Sequence, residues 1–430
     1  MGKPLNGRCS EHAISNMETN TFVQNPELNR IAERIIELCS NRLSQALTDP
    51  SPLGLILTGS FSRGEGTILI LQQEEKIVLG DAEFLVIFRD GEPLDSLRVR
   101  LKHVTMGIEK DLRSDNIECA VEFTPACRSY LRRVPPSIFG TELALHSVVV
   151  WGDQRLVLDL PRSNPESIPK IDAFYLICNR IIEQLELLQR LETADQKSLL
   201  QNYYQLVKLY LDLAGSILIF LEDYQPTYKL RAEALQSKAI PDGLEYFHDW
   251  NAFCLEVRDA SQLKVDLNPQ SLFDIFGEEA EIQQKREMII NKMQRAAGYV
   301  LPIWIWEAVQ LIGGATPLPE DEIMRGLLRL GTMKDRLKSW LKWLRLGHLN
   351  GNKIPVQSVF LGFLKGNPRM MTYLAAKKLY ETVLAKPNVD VSTRVEVAMQ
   401  RMPFNGSTSV DPLTAIDFLI RTWRTFIRTA

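Results

Sequence analysis

The chain has 430 residues, 45% of them hydrophobic, and its 50 basic and 53 acidic residues leave a net charge of -3. That length suits two or three domains with sizeable cores. The near balance of charge excludes a global pull toward nucleic acid or an anionic membrane, so any polyanion site must be local.

The chain opens on "MGKPLNGRCSEHAISNMETN", which has no apolar stretch of the secretory kind, and Asn6 stands where a myristoylation signal has Ser or Thr. Residues 1–26 are expected to form a flexible N-terminus. Apolar residues then recur at helical spacing from Glu27 to Leu47. "DPSPLG" breaks the pattern, Leu53 to Thr58 reads as a short buried strand, and "GSFSRGEG" is the turn out of it. Asp81 to Phe88 and Ile117 to Phe123 are the next strands, the latter alternating apolar with polar or small residues. A further short strand is expected at Ser147 to Trp151.

The composition changes around "PRSNPESIPK", and beyond it helical spacing dominates: Ile171 to Leu191, Gln201 to Leu221, Lys285 to Gly298, Met333 to Leu346 and Arg369 to Leu384. The expected division is an α/β head over 27–165, a helical domain over 166–312 and a C-terminal helical region over 313–430, with "GGATPLPED" as the joint. The most apolar window, Ala296 to Ala315, carries Pro302, Glu307 and Gln310, which suits a buried or interfacial helix rather than a membrane span. "MKDRLKSWLKWLRL" is a basic amphipathic helix, expected to pack Met333, Leu337, Trp340, Leu341 and Leu344 on one side and to show its cations on the other. The six cysteines are scattered without a CxxC pair and read as reduced thiols of a cytoplasmic protein.

Chemistry is concentrated between Thr58 and Phe88. Gly59 lets backbone approach an anion closely, and the Ser60 hydroxyl and neighbouring amides can hydrogen-bond phosphate oxygens. Asp81 and Glu83, two apart on a strand, share a face. Adjacent carboxylates repel unless a cation sits between them, and Mg²⁺ prefers oxygen ligands. The alternative is an acid-decorated edge strand, but the continuous apolar run "FLVIF" suits a central strand.

Leu57-Thr58-Gly59-Ser60, Asp81-Ala82-Glu83-Phe84 and an acid on a third strand together resemble the polymerase-β-like nucleotidyltransferase superfamily. The resemblance extends more weakly to "PPSIFGTELALHSVVVWGD", "DAFYLICNRIIEQL" and "YYQLVKLYLDLAG", in the manner of bacterial proteins that join such a head to a helical domain. It implies an α+β fold: a nucleotidyltransferase head with a mixed sheet and flanking helices, followed by an all-α domain. Two features depart from the pattern. Twenty residues separate Ser60 from Asp81, so "ILILQQEEKIVLG" is either an inserted hairpin or an elongated connection. The third acid is Glu122 or, second, Glu118.

By that resemblance Asp81, Glu83 and Glu122 would be catalytic and would hold Mg²⁺ or Mn²⁺. The nucleotide would be bound by Gly59, Ser60, Arg63, a lysine from a following helix, Lys208, and Tyr228. Each of these has a plainer alternative: Arg63 in a solvated helix start, Lys208 on a solvated stripe with Gln201, Gln205, Asp212 and Ser216, and Tyr228 at an ordinary helix start. The implied activity moves a nucleotidyl group from a nucleoside triphosphate, ATP foremost, to an acceptor hydroxyl with release of pyrophosphate; the acceptor is unknown, and long nucleic acid is not expected. A nucleotide second-messenger synthase and a catalytically silent nucleotide-binding sensor are the alternatives.

Overall fold

A computed structural model gives the fold and describes residues 21–71, 74–244, 247, 249–267, 281–315, 317–349, 356–385, 391–403 and 411–428. The protein is α+β and divides into two compact units, one of residues 1–68, 75–128 and 146–157, the other of 69–74, 129–145 and 158–430. The segment 129–145, expected within the head, thus groups with the helical unit. Residues 1–20 of the expected flexible terminus, Cys9 among them, lie outside the described residues.

The first unit begins with α1 (Pro26–Ala46). Asn25 caps it by accepting from the Glu27 and Leu28 amides, and Pro26 supplies a φ suited to the first turn. Phe22 and Val23 are buried in the core, tethered through their amides to Asn29 Oδ1 at 2.7 and 3.1 Å, so ordered structure begins ahead of residue 27. The strands are β1 (Gly54–Thr58), β2 (Ile68–Ile70), β3 (Lys76–Phe88), β4 (Ile117–Cys127) and β5 (Val148–Gly152), with a four-residue turn of helix, α2 (Gly59–Ser62), directly after β1. Between β3 and β4 runs α3 (Leu94–Ser114).

The sheet is mixed, in the order β2-β3-β1-β5 with β4 against the other side of β3. β3 pairs antiparallel with β1 and parallel with β4. One face is apolar: Leu55 and Leu57, then Ala82, Phe84 and Val86, then Cys119, Val121 and Phe123 join a core completed by Ile35, Cys39 and Leu43 of α1 and Leu97, Leu101 and Ile108 of α3. Strand alternation puts Asp81, Glu83, Glu118 and Glu122 on the other face. "ILILQQEEKIVLG" is accounted for by a hairpin of β2 and β3, and β3 starts five residues ahead of the expected strand.

The second unit is helical. α4 (Arg128–Leu131) and α5 (Ile138–His146) precede α6 (Lys170–Leu191) and α7 (Gln196–Phe220), the central pair. Next come α8 (Tyr228–Gln236), α9 (Trp250–Val265) and the long α10 (Ile282–Leu311). The chain ends with α11 (Glu320–Arg329), α12 (Met333–Leu349), α13 (Val356–Lys365), α14 (Pro368–Tyr380), α15 (Val391–Gln400) and α16 (Pro412–Trp423). Asn179 ties three helices together, its Oδ1 accepting from Tyr373 Oη at 2.8 Å and Trp423 Nε1 at 2.9 Å.

Two expectations about faces change. On α12 it is Trp340 and Trp343 that are buried, whereas Met333, Leu337 and Leu341 are exposed. On α7 the stripe read as solvated is largely internal: Asp212 and Ser216 are buried, Asp212 binds Arg180, and Ser216 donates to Glu307. The apolar window Ala296 to Ala315 lies mostly in α10, whose Tyr299, Val300, Ile303, Trp304 and Trp306 are buried. Among the described residues no helix is long and apolar enough to cross a membrane.

Glu307 is fully buried; its Oε1 accepts from Ser216 at 2.5 Å, and its Oε2 has no hydrogen-bond partner. Burial raises its pKa to about 8, against the smaller opposing pull of the Ser216 hydrogen bond. The folded chain therefore keeps a proton there that the unfolded chain loses above the ordinary glutamate range, so this group's contribution to stability falls with rising pH until about 8. Glu307→Gln, neutral at every pH, is expected to flatten the decline in melting temperature between pH 5 and 8 and to exceed the native chain's stability at pH 8.5. Parallel melting curves of the two proteins check this; equal pH dependence would contradict it.

Candidate functional site

β1 sets the position of the Gly59-Ser60 turn. Its residues are wholly buried, and its register runs from Gly54 opposite Ile87 to Thr58 opposite Glu83, with Thr58 Oγ1 donating to the Glu83 carbonyl at 3.2 Å. The ladder ends there, and Gly59 turns the chain out of the strand into α2 beside the Glu83 carboxylate. Gly59 has φ +70°, and a Cβ there would stand 2.6 Å from Glu83 Oε2. Glycine is needed both for the backbone conformation and for room beside that carboxylate.

The turn is closed by its own backbone. The Ser60 carbonyl accepts from the Arg63 amide at 3.2 Å and the Glu65 amide at 2.9 Å, and Ser62 Oγ donates to the Gly59 carbonyl at 2.9 Å. Gln24 Nε2 holds the Gly64 carbonyl at 2.9 Å. Arg63 and Glu65 form an ion pair of 2.9 Å inside the turn, their side chains 4% and 5% exposed. In this arrangement Arg63 is a buried partner of Glu65, neither a solvated side chain nor an open phosphate ligand. It orders the loop from within.

β4 brings up the third acid. Its parallel register sets Asp81 opposite Ala120 and Glu83 directly opposite Glu122, and residues paired across a sheet project on the same side. Asp81 and Glu83 are half-buried and Glu122 is exposed. Glu118, half-buried, lies four residues earlier on β4 and on the same face, with a register shift between Ile77 and Asp81 separating it from the Asp-x-Glu pair. Glu122 is thus the nearer neighbour in register. Beneath the pair, burial pushes the Cys119 thiol up to about 12, an Ala82 backbone hydrogen bond opposes this, and the Asp81 charge adds to it. Cys119 is an inert core thiol, and Cys39, Cys127, Cys178 and Cys254 are likewise free.

Two groups at this mouth lack partners. Neither the Asp81 carboxylate nor the Ser60 hydroxyl makes a hydrogen bond or ion pair with any described residue, although both residues are half-buried. Both groups are therefore open to solvent or to a ligand. The donor set of Asp81, Glu83 and Glu122 has the all-oxygen chemistry that Mg²⁺ prefers. Among the described residues, however, no group of three or more His, Cys, Asp or Glu side chains is gathered closely enough to hold a metal ion. The chemistry fits; a ready-made cage is not there.

The remaining candidates lie in the helical unit. Lys208 is half-buried on α7 and acts on Glu183: burial alone would raise that carboxyl, but Arg180 first and Lys208 next outweigh it and hold it below the ordinary range. Tyr228 is 8% exposed, with the Arg231 guanidinium 5.1 Å from its ring centroid and Lys264 Nζ at 5.8 Å. Tyr228 is a core side chain in a cation–π stack and offers no exposed ring to a base. Arg231 in turn binds Glu142 at 2.6 Å.

Comparison with protein-family models, with curated proteins and with solved structures finds no match.

Gly59→Ala is expected to lower the local opening free energy of β1 and β3 by about 1–3 kcal/mol, because it adds both backbone strain and a clash with Glu83. Asp81→Asn should change it by less than about 0.5 kcal/mol, since no described contact is lost. Hydrogen exchange of those strands, followed by mass spectrometry, distinguishes the two; equal protection in all three proteins would contradict the reading of the turn.

Proposed function

We propose that the first unit is a polymerase-β-like nucleotidyltransferase head and that the protein moves a nucleotidyl group from a nucleoside triphosphate, ATP foremost, to an acceptor hydroxyl. The observation that carries this reading is the meeting, at the end of β1, of the Gly59-Ser60 turn with the Glu83 carboxylate, which lies directly opposite Glu122 on β4 and shares its strand face with Asp81. The order of elements supports it as well, with the Gly-Ser turn after the first strand, the Asp-x-Glu pair on a central strand and the third acid on its parallel neighbour.

In this reading the turn binds and the acids organise. The Gly59-Ser60 turn donates to the β- and γ-phosphate oxygens, and the buried Arg63–Glu65 pair keeps that turn in shape. Asp81, Glu83 and Glu122, with Glu118 as the alternative third acid, would hold Mg²⁺ or Mn²⁺, which when bound supplies charge neutralisation and an acceptor hydroxyl of lowered pKa. The acceptor oxygen forms its bond to the α-phosphorus in line as the bond to the departing pyrophosphate breaks. The acids form no cage of their own among the described residues, so in this reading the nucleotide's own oxygens would supply the rest of the cation's ligands.

A second reading, a nucleotide-binding sensor without turnover, is favoured by one observation: the acids do not form a closed metal cluster among the described residues.

Pyrophosphate release from each of the four ribonucleoside triphosphates, with Mg²⁺ or Mn²⁺ and with or without cell extract as acceptor source, separates these readings. Release is expected from the native chain and a loss of at least about 100-fold in Asp81→Ala/Glu83→Ala. Release without extract, accompanied by a nucleotide-only product, would select second-messenger synthesis. Nucleotide binding with no release under any condition would overturn the transferase and leave the sensor.

A further inference from the structure

The helical unit carries a second candidate site, independent of the acids on the sheet. Between α11, α14 and α15 lies an open cavity of about 660 Å³, within the roughly 300–1,000 Å³ range of pockets that hold small organic ligands. Its walls are mainly apolar, with Met324 and Leu328 on α11, Met371 and Leu374 on α14 and Val397 on α15. Met371 and Leu374 are 3% and 2% exposed, so they belong to the packed core, whereas Met324, Leu328 and Val397 are half-buried and present surface to the cavity.

The rim is cationic. Arg325, Lys365 and Arg401 line the same cavity, with Asp321 the acid among its lining residues. None of the three cations has an ion pair among the described residues; Arg325 Nε donates only to the Asp321 backbone carbonyl, at 3.2 Å. Arg401 stands just past the end of α15, its amide bonded to the Ala398 carbonyl at 3.1 Å. A guanidinium stays charged at any physiological pH, so Arg401 adds a permanent positive charge to the cavity lining.

We propose that this cavity binds a small amphipathic anion, a carboxylate or phosphate monoester on an apolar body. The apolar part rests on Met324, Leu328 and Val397, and the anionic head is held by Arg401 with Arg325 and Lys365. An apolar wall alone would accept any oily molecule; the three cations lining the cavity, none in an ion pair among the described residues, select for a charged head. Three cations against Asp321 leave the rim net positive, which excludes an amine-bearing ligand of the same shape.

Calorimetric titration of the full chain with decanoate, decyl phosphate, decanol and inorganic phosphate, each below its aggregation limit, tests this. Saturable one-to-one binding is expected for decanoate or decyl phosphate, whichever head the rim prefers, with decanol at least about tenfold weaker. Inorganic phosphate, lacking the apolar body, should bind too weakly to detect. Arg401→Gln should weaken the anion at least about tenfold and bring it near decanol, and Val397→Trp, which crowds the apolar wall, should weaken all of these probes alike. If either variant is misfolded by circular dichroism, Lys365→Gln, at an exposed position, carries the comparison and should also weaken the anion selectively. Equal affinity for decanol and decanoate, unsaturable uptake, absence of binding by both anions, or affinities unchanged in the folded variants would each overturn the proposal.

Discussion

The first unit depends on the double register of β3. β1 fixes it from one side and β4 from the other, so Glu83 has no freedom to sit anywhere but opposite Thr58 and Glu122. A one-residue slip would turn Asp81 and Glu83 into the apolar core and bring Ala82 and Phe84 out to the acidic face. The register is held because Ala82, Phe84, Val86 and Phe88 are wanted against α1 and α3. Core packing on one face thus dictates which carboxylates share the other, with Glu83 opposite Glu122 and Asp81 two residues along the strand.

The helical unit solves a different problem, that of placing charge inside a helix bundle. Arg180 lies between Asp212 and Glu183, and Lys377 between Glu320 and Glu381, so these internal charges are paired rather than isolated. Glu307 is handled in the other way: burial favours its neutral form and the Ser216 hydroxyl meets one oxygen. The cations around the cavity of α11, α14 and α15 differ from these pairs in having no counter-ion among the described residues.

Much of the head was legible because its signals are local. The positions of β1 and the Asp-x-Glu strand follow from short apolar runs, and the need for glycine at 59 follows from the turn. α3 is harder to read, because the helical repeat of Leu97, Leu101, Ile108 and Leu112 is diluted by many charged residues. What sequence could not give is which polar residues face inward. The stripe of α7 reads as solvent-facing because Asp212 and Ser216 are hydrophilic, yet their partners Arg180 and Glu307 lie 32 and 91 residues away. The same blindness applies to Arg63, whose partner two residues on is visible but whose burial is not, and to Tyr228, whose packing against Lys264 is a tertiary fact. The cavity is assembled from elements spread from Asp321 to Arg401, and no local pattern announces it.

The central claim is that Asp81 and its neighbours bind a triphosphate together with a divalent ion. Its most direct test is the affinity of the full chain for a non-hydrolysable ATP analogue, measured by calorimetry with and without Mn²⁺, for the native protein and for Asp81→Asn. Tighter binding with Mn²⁺ in the native chain, and loss of that gain in the variant, is the predicted result. Binding that ignores both Mn²⁺ and the substitution would contradict the account.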